Sequence, residues 1–222
     1  MKIDCVMGTY GRYSLACEAL ACFLQQSALS QATLLIYNQH PVPLHFDHPR
    51  VRVINEIEPP QALRYLKQRM FELADPTADL IHGLEDDDLY LPWHLEDCIE
   101  HIGDNVAWKP ASSWISEGNV KFSRSVNMFE GSWVFRSDYL KAAPVDTHLT
   151  YVDHPVYVQT LDAGLLATTE FEGRTSYIYR WATGTDEMIP ADLTLRWRQY
   201  LDGTKDQVTA AEWEHNRKRL QL

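Results

Sequence analysis

Residues 78–95, "ADLIHGLEDDDLYLPWHL", set four carboxylates, Glu85, Asp86, Asp87 and Asp88, between two apolar flanks. A solvated acidic loop sits among Gly, Ser and Lys. Here Leu80, Ile81 and Leu84 lead in, while Leu89, Leu91 and Trp93 lead out. Adjacent like charges repel, so something must neutralise them. The context predicts a strand that ends by delivering carboxylates to a site. Strand-end carboxylates beside a Gly-containing loop can hold Mg2+ or Mn2+ through oxygen ligands, with substrate phosphate completing the shell. The spacing does not fit an EF-hand, which spreads its ligands over about twelve residues. The competing reading has nothing bound: Asp87 or Asp88 caps the helix that Pro92 opens.

Upstream, "KIDCVM" is a short apolar strand that breaks at Gly8, and "YSLACEALACFLQQ" follows as an amphipathic helix. Its Leu15, Ala19 and Phe23 recur at four-residue spacing, as do Ala16, Leu20 and Leu24. "ATLLIYNQHP" and "RVRVINEI" are the second and third strands. "PPQALRYLKQRMFELADP" is a helix with Pro60 near its start, Leu63, Leu66, Met70 and Leu73 on one face, and Asp75-Pro76 ending it. Strand, helix, strand, strand, helix, strand predicts an α/β layer with a mostly parallel sheet. Such sheets bind ligands beyond the carboxyl ends of their strands, where "GTYGR", "YNQH" and "EDDD" fall. The second half is less regular. It offers short strands around Val120, Val134 and Ile178, and helices after Pro92, over 155–163 and from Ala191 onward. No repeat, linker or low-complexity segment divides the chain, so one domain is expected.

The 222 residues carry a formal net charge of −11, which disfavours nucleic acid and anionic membranes as partners. The one basic cluster, Arg217, Lys218 and Arg219, suits a solvated helix end. No apolar run approaches a membrane span, and the N-terminus lacks an apolar signal core, so a cytoplasmic location is expected. Cys5, Cys17, Cys22 and Cys98 form no Cys-x-x-Cys pair and read as buried reduced thiols.

The ordered set of motifs is more specific than any one of them. "CVMGTYGRYSLACEALACFLQQS", "ATLLIYNQHP" and "EDDDLYLPWHL", followed by "EGSWVFRSDYLKAAPVD", "YVDHPVYVQTLDAG" and "TSYIYRWATGT", resemble glycosyltransferase family two over residues 3–186. The resemblance implies a GT-A fold, a Rossmann-like, mostly parallel mixed sheet flanked by helices. Within one catalytic domain of residues 1–222, residues 1–91 would be the nucleotide-sugar half, 92–190 the acceptor-side half and 191–222 a helical extension. It implies an inverting, metal-dependent transfer of a sugar from a nucleotide-diphosphate donor, a uridine diphosphate sugar first, to a hydroxyl acceptor. That acceptor could be a saccharide, a lipid-linked sugar, a protein side chain or a modified nucleobase.

By the same resemblance Thr9, Tyr10, Arg12, Asn38, Lys67 and Asp86 serve the donor nucleotide, with Asn38 at the base edge; Arg180 joins them because a guanidinium fork matches phosphate oxygens. Asp87 ligates Mn2+ or Mg2+ with Asp88, and Asp186 or Glu187 stands in for the usual late His. Asp153 is the general base. Trp93, Gly131 and Trp133 lie on the acceptor side. Gly8 and Gly11 replace the usual Pro and Asn, Asn38 the usual Asp, and Val152 the usual Glu. Two other functions fit some of these features: a nucleotide-sugar-binding module without turnover, or a nucleotidyltransferase. The second would carry a denser Gly-rich loop than "GTYGR". The histidines show no metal-ligand spacing, and His82 and His94 beside the acidic run read as structural.

Overall fold

The computed structural model describes residues 1–56, 63–117, 121–127, 129–142 and 154–181. Strand β1 (Ile3–Thr9) leads into helix α1 (Tyr13–Leu24), then β2 (Ala32–Asn38) and β3 (Val51–Asn55). Helix α2 (Leu63–Leu73) returns the chain to β4 (Leu80–Gly83). These are the six elements predicted, in order. β1 pairs in parallel with β2 and β4, and β2 with β3.

Period-two alternation explains why the sheet is covered on both faces. Ile3, Cys5, Met7, Leu34 and Ile36 pack in one core with Ala16, Ala19, Leu20 and Phe23 of α1. Val6, Leu35 and Tyr37 point the other way, into a second core with Met70 of α2. Helix α1 has no side-chain cap at its start, so its buried apolar face holds it in place. β1 does not break at Gly8 but runs to Thr9, because Gly8 and Thr9 still pair with Tyr37 and Asn38.

Beyond the acidic run come β5 (Leu89–Tyr90), α3 (His94–His101), β6 (Ala107–Pro110), β7 (Ser112–Glu117) and β8 (Lys121–Val126). β9 (Val134–Arg136), α4 (Ser137–Ala142), α5 (His154–Asp162), β10 (Leu166–Thr169) and β11 (Tyr177–Trp181) complete the described chain. The large sheet has seven strands in the order β10-β6-β9-β4-β1-β2-β3, with β9 inserted antiparallel between β4 and β6. A smaller sheet runs β5-β11-β7-β8. Strands expected around Val134 and Ile178 are present, and β7 and β8 flank the one expected near Val120, which itself lies outside the described residues. The helix expected from Ala191, the basic tail, Asp153, Asp186 and Glu187 also lie outside them. No described helix is long and apolar enough to cross a membrane. The four cysteines are free; Cys5, Cys22 and Cys98 are buried, and burial pushes the Cys22 thiol up to about 12.

Candidate active site

Because β1, β2 and β4 are parallel, Thr9, Asn38 and Gly83 end at one edge of the large sheet. β4 stops at Gly83, so the four carboxylates lie in the turn between β4 and β5, where the large sheet hands the chain to the small one. Helix α3 has Trp93 at its N-cap with no side-chain capping bond, which removes Asp87 and Asp88 as its caps.

The carboxylates in the turn are met by groups from separate parts of the chain. Arg12, just before α1, places Nη2 2.5 Å from Asp86 Oδ1 and Nη1 2.9 Å from Asp87 Oδ2. Lys67 of α2 places Nζ 2.9 Å from Glu85 Oε1. Asp88 Oδ1 accepts from the backbone N–H of Arg180 at 2.9 Å, and Asp88 Oδ2 accepts from the Tyr177 hydroxyl. The Arg180 guanidinium donates to the Asp87 carbonyl and pairs with Glu18 of α1, with both side chains buried. Two basic side chains, Arg12 and Lys67, and two groups of β11, the Arg180 N–H and the Tyr177 hydroxyl, thus offset the run.

Asp86 is fully enclosed, and its oxygens, though close to Arg12, make no aligned hydrogen bond among the described residues. Burial pushes its carboxyl up to about 7; Arg12 pulls the other way, and the neighbouring Asp87 charge adds to the rise. Burial also raises Asp88 well above the usual carboxylate range, and Asp87 adds to it. The turn is clamped by Tyr90 and Gly131 as well. Tyr90 accepts from the Glu85 N–H at 2.9 Å and donates to the Gly131 carbonyl at 2.8 Å. A Cβ on Gly131 would sit 2.7 Å from Glu85 Cγ and 3.3 Å from Asp88 Oδ2, so only glycine fits there.

Beside Arg12 a cavity of about 290 Å3 opens between the ends of β1 and β2. Thr9, Gly11 and Tyr13 line one side, and His40, Val42 and Leu44 the other. Gly11 adopts φ +65°, the left-handed region where glycine replaces the usual Asn without strain. Tyr10, 47% exposed, packs edge-on against His40 at the mouth.

The donor residues expected from the sequence separate into two groups. Thr9, Tyr10, Arg12, Lys67 and Asp86 gather at this edge. Arg180 lies beneath the acidic turn, 2% exposed. Asn38 ends β2 at the cavity, but its amide holds the loop after β2, donating to Asn55 Oδ1 at 2.8 Å and Val42 O at 3.0 Å. Gly131, expected on the acceptor side, lies against the acidic turn. Trp93 is fully buried under the Arg174 guanidinium, and Trp133 is buried in the second core against Phe135, so neither ring offers a face to solvent. His82 and His94 are fully buried structural residues; their Nε2 atoms lie 2.9 Å apart and Tyr90 packs edge-on against both.

Sequence reasoning missed Glu18, Tyr90 and Tyr177. Glu18 had a readable signal, since it is the one charged residue in the otherwise apolar α1.

Among the described residues no three His, Cys, Asp or Glu side chains cluster as a metal site. Asp86 and Asp87 nevertheless aim oxygens at one positive centre, now the Arg12 guanidinium. Two carboxylates plus substrate phosphates is a donor set that Mg2+ uses, so the pair fits a divalent cation. Asp88, expected as a ligand beside Asp87, is instead bound to β11 through both oxygens.

No family model and no curated protein matches the chain. Solved structures do match its fold. Staphylococcus aureus TarS, residues 1–349 with UDP-GlcNAc, superposes at TM-score 0.60 and 10% identity over 99% of this chain and 80% of that one. The mannosyltransferase PcManGT from Pyrobaculum calidifontis, with GDP-Man and Mn2+, superposes at 0.57 and 12% identity, covering 100% of this chain and 70% of that one. The galactosyltransferase LgtC gives 0.52 and 10% identity over 94% of this chain and 99% of that one. Against a longer TarS structure the chain covers 43% of that protein's length. The fold is therefore that of the GT-A glycosyltransferases.

Proposed function

We propose that the protein is a glycosyltransferase of the family-two type, moving a sugar from a nucleotide-diphosphate donor to a hydroxyl acceptor with inversion at the anomeric carbon. The observation that carries this reading is a nucleoside-sized cavity and a cation-paired acidic turn meeting at one carboxyl edge of a parallel sheet. The GT-A likeness agrees with it, and so do the nucleotide sugars named with TarS and PcManGT. Thr9, Tyr10 and Arg12 border the nucleoside and its diphosphate, and Lys67 stands on the other side of the turn. The acceptor oxygen bonds to the anomeric carbon as the bond from that carbon to the phosphate oxygen breaks. The nucleoside diphosphate leaves with the electron pair, and Asp153 takes the hydroxyl proton. Mn2+ or Mg2+, when bound, adds positive charge at the leaving diphosphate. Asp86 and Asp87 would hold it, with Glu187 as the proposed late ligand.

Thermal shift across a panel of nucleotide sugars, with and without Mn2+, tests the donor half of this reading. A ligand well above its dissociation constant stabilises the fold by about 2–4 kcal/mol, and a flat response across the panel would overturn the reading. Asp153→Asn tests the chemistry. Asn is as good a helix-capping residue as Asp but takes no proton. The variant should melt near wild type, keep donor affinity and lose transfer by about 10²–10⁴-fold. Transfer within a few-fold of wild type would leave Asp153 as a cap.

A further inference from the structure

The amide that the family pattern offers at the base edge is engaged by the protein itself. Asn38 is 1% exposed. Its Nδ2 donates to Asn55 and Val42, and its Oδ1 accepts from the His40 N–H at 3.1 Å. Asn55 in turn accepts from the Leu44 N–H at 2.9 Å and donates to the Leu44 carbonyl at 3.0 Å. This pair of amides is the frame of the loop that walls the cavity, and both Nδ2 protons of Asn38 are used within it.

His40 is differently placed. Its Nδ1 accepts from the Val42 N–H at 3.2 Å. A neutral imidazole that accepts at one nitrogen carries its proton on the other, so Nε2–H is a donor. That edge of the ring lies over Gly11, where a Cβ would be 3.2 Å from Cδ2 and 3.5 Å from Nε2. His40 and Gly11 both line the cavity, and glycine at 11 puts no side chain against that edge of the imidazole. The rest of the lining suits a flat ring: Tyr13 stands on one side, and Val42, Pro43 and Leu44 on the other. At about 290 Å3 the cavity is at the small end of ligand pockets, with room for one nucleobase.

We propose that His40 is the specificity-determining residue of the donor site, and that its Nε2–H reads the 4-oxo group of an oxopyrimidine nucleotide. This rests on the donor-site reading above and narrows its ligand to uridine or thymidine diphosphates. Cytosine presents an amino donor at the same place and leaves the imidazole N–H opposed by another donor.

Calorimetry of the full chain with UDP, dTDP and CDP, in Mn2+ buffer, tests it. Wild type binds UDP and dTDP at least about tenfold tighter than CDP, the worth of one buried hydrogen bond. His40→Leu brings the UDP-to-CDP ratio to within about twofold, while His40→Gln, whose amide retains an N–H donor, keeps it. A ratio unchanged in His40→Leu overturns the proposal. So does equal weakening of every nucleotide at unchanged ratio, since that is the signature of a loop support. Wild type binding CDP as tightly as UDP overturns it too. A wild-type protein that binds none of the three removes the donor site itself, and a nucleotide preference for GDP over UDP leaves the donor site standing and this assignment gone.

Discussion

The acidic turn has two sides, and they behave as different kinds of structure. On one side Asp88 is tied to Tyr177 and Arg180, and Arg180 to Glu18, all of them buried. On the other, Asp87 and Arg12 meet with side chains 27% and 31% exposed. The acidic run therefore does two jobs: Asp88 anchors the turn, while Asp87 stands half-exposed beside the enclosed Asp86. A single acidic motif, read as one ligand set, hides that division. Burial decides which job each residue does, because a buried charge needs fixed partners and a half-exposed one can exchange them.

The largest effect should come from breaking the anchored side. Arg180→Met leaves Glu18 buried without its partner, a change that costs about 3–5 kcal/mol. Urea unfolding measures it, and a loss below 1 kcal/mol would place Arg180 among exchangeable groups instead.

Next comes a buried carboxyl away from the turn, which isolates burial from ligand chemistry. Asp97 on α3 accepts from His101 Nδ1 at 2.9 Å and from Thr169 at 3.2 Å, and burial pushes its carboxyl up to about 6. Its folded pKa lies above the unfolded value, so between about pH 4 and 6 the native state binds more protons than the unfolded chain. Stability from this group is full below that window and falls as pH rises through it. Asp97→Asn removes the titration, so the variant should gain on wild type across the window. A shift of roughly two units is worth on the order of 2–3 kcal/mol. Denaturation midpoints at pH 4, 5, 6 and 7 check it; a constant difference would mean that the raised carboxyl does not exist.

The exposed side should show the smallest change in stability and a clear one in binding. Asp87→Ala removes a half-exposed ion pair worth about 0–1 kcal/mol. It should also weaken Mn2+-dependent nucleotide binding at least tenfold, about 1.4 kcal/mol. Equal binding by variant and wild type would take Asp87 out of the cation site.

The same contrast explains what the sequence disclosed. β1 to β4 were legible because each element carries its own period and one helix or loop separates each strand from the next in sequence. The convergence of "GTYGR", "YNQH" and "EDDD" followed from strand direction alone. The small sheet was not legible, since β5 has two residues and its partner β11 lies near the far end of the described chain. Arg180 illustrates the cost of this. Sequence reading gave it to the diphosphate, because a guanidinium matches phosphate; only the fold brings Glu18 and the Asp87 carbonyl to meet it. Trp93 and Trp133 went astray for a related reason, as proximity to motifs in sequence did not put their rings at the surface.

The tie between Asp88 and β11 spans about ninety residues, and it sets an order of events in folding. A chain leaves the ribosome N-terminus first, at about 5–20 residues per second. The strands that flank the cavity emerge well before Tyr177 and Arg180, and closing so long a loop waits on entropy as well as synthesis. Until then the acidic turn lacks its anchor, and Glu18 of α1 lacks Arg180. The edge that carries the cavity and the acidic turn is therefore among the first parts of the protein to be made and among the last to be finished.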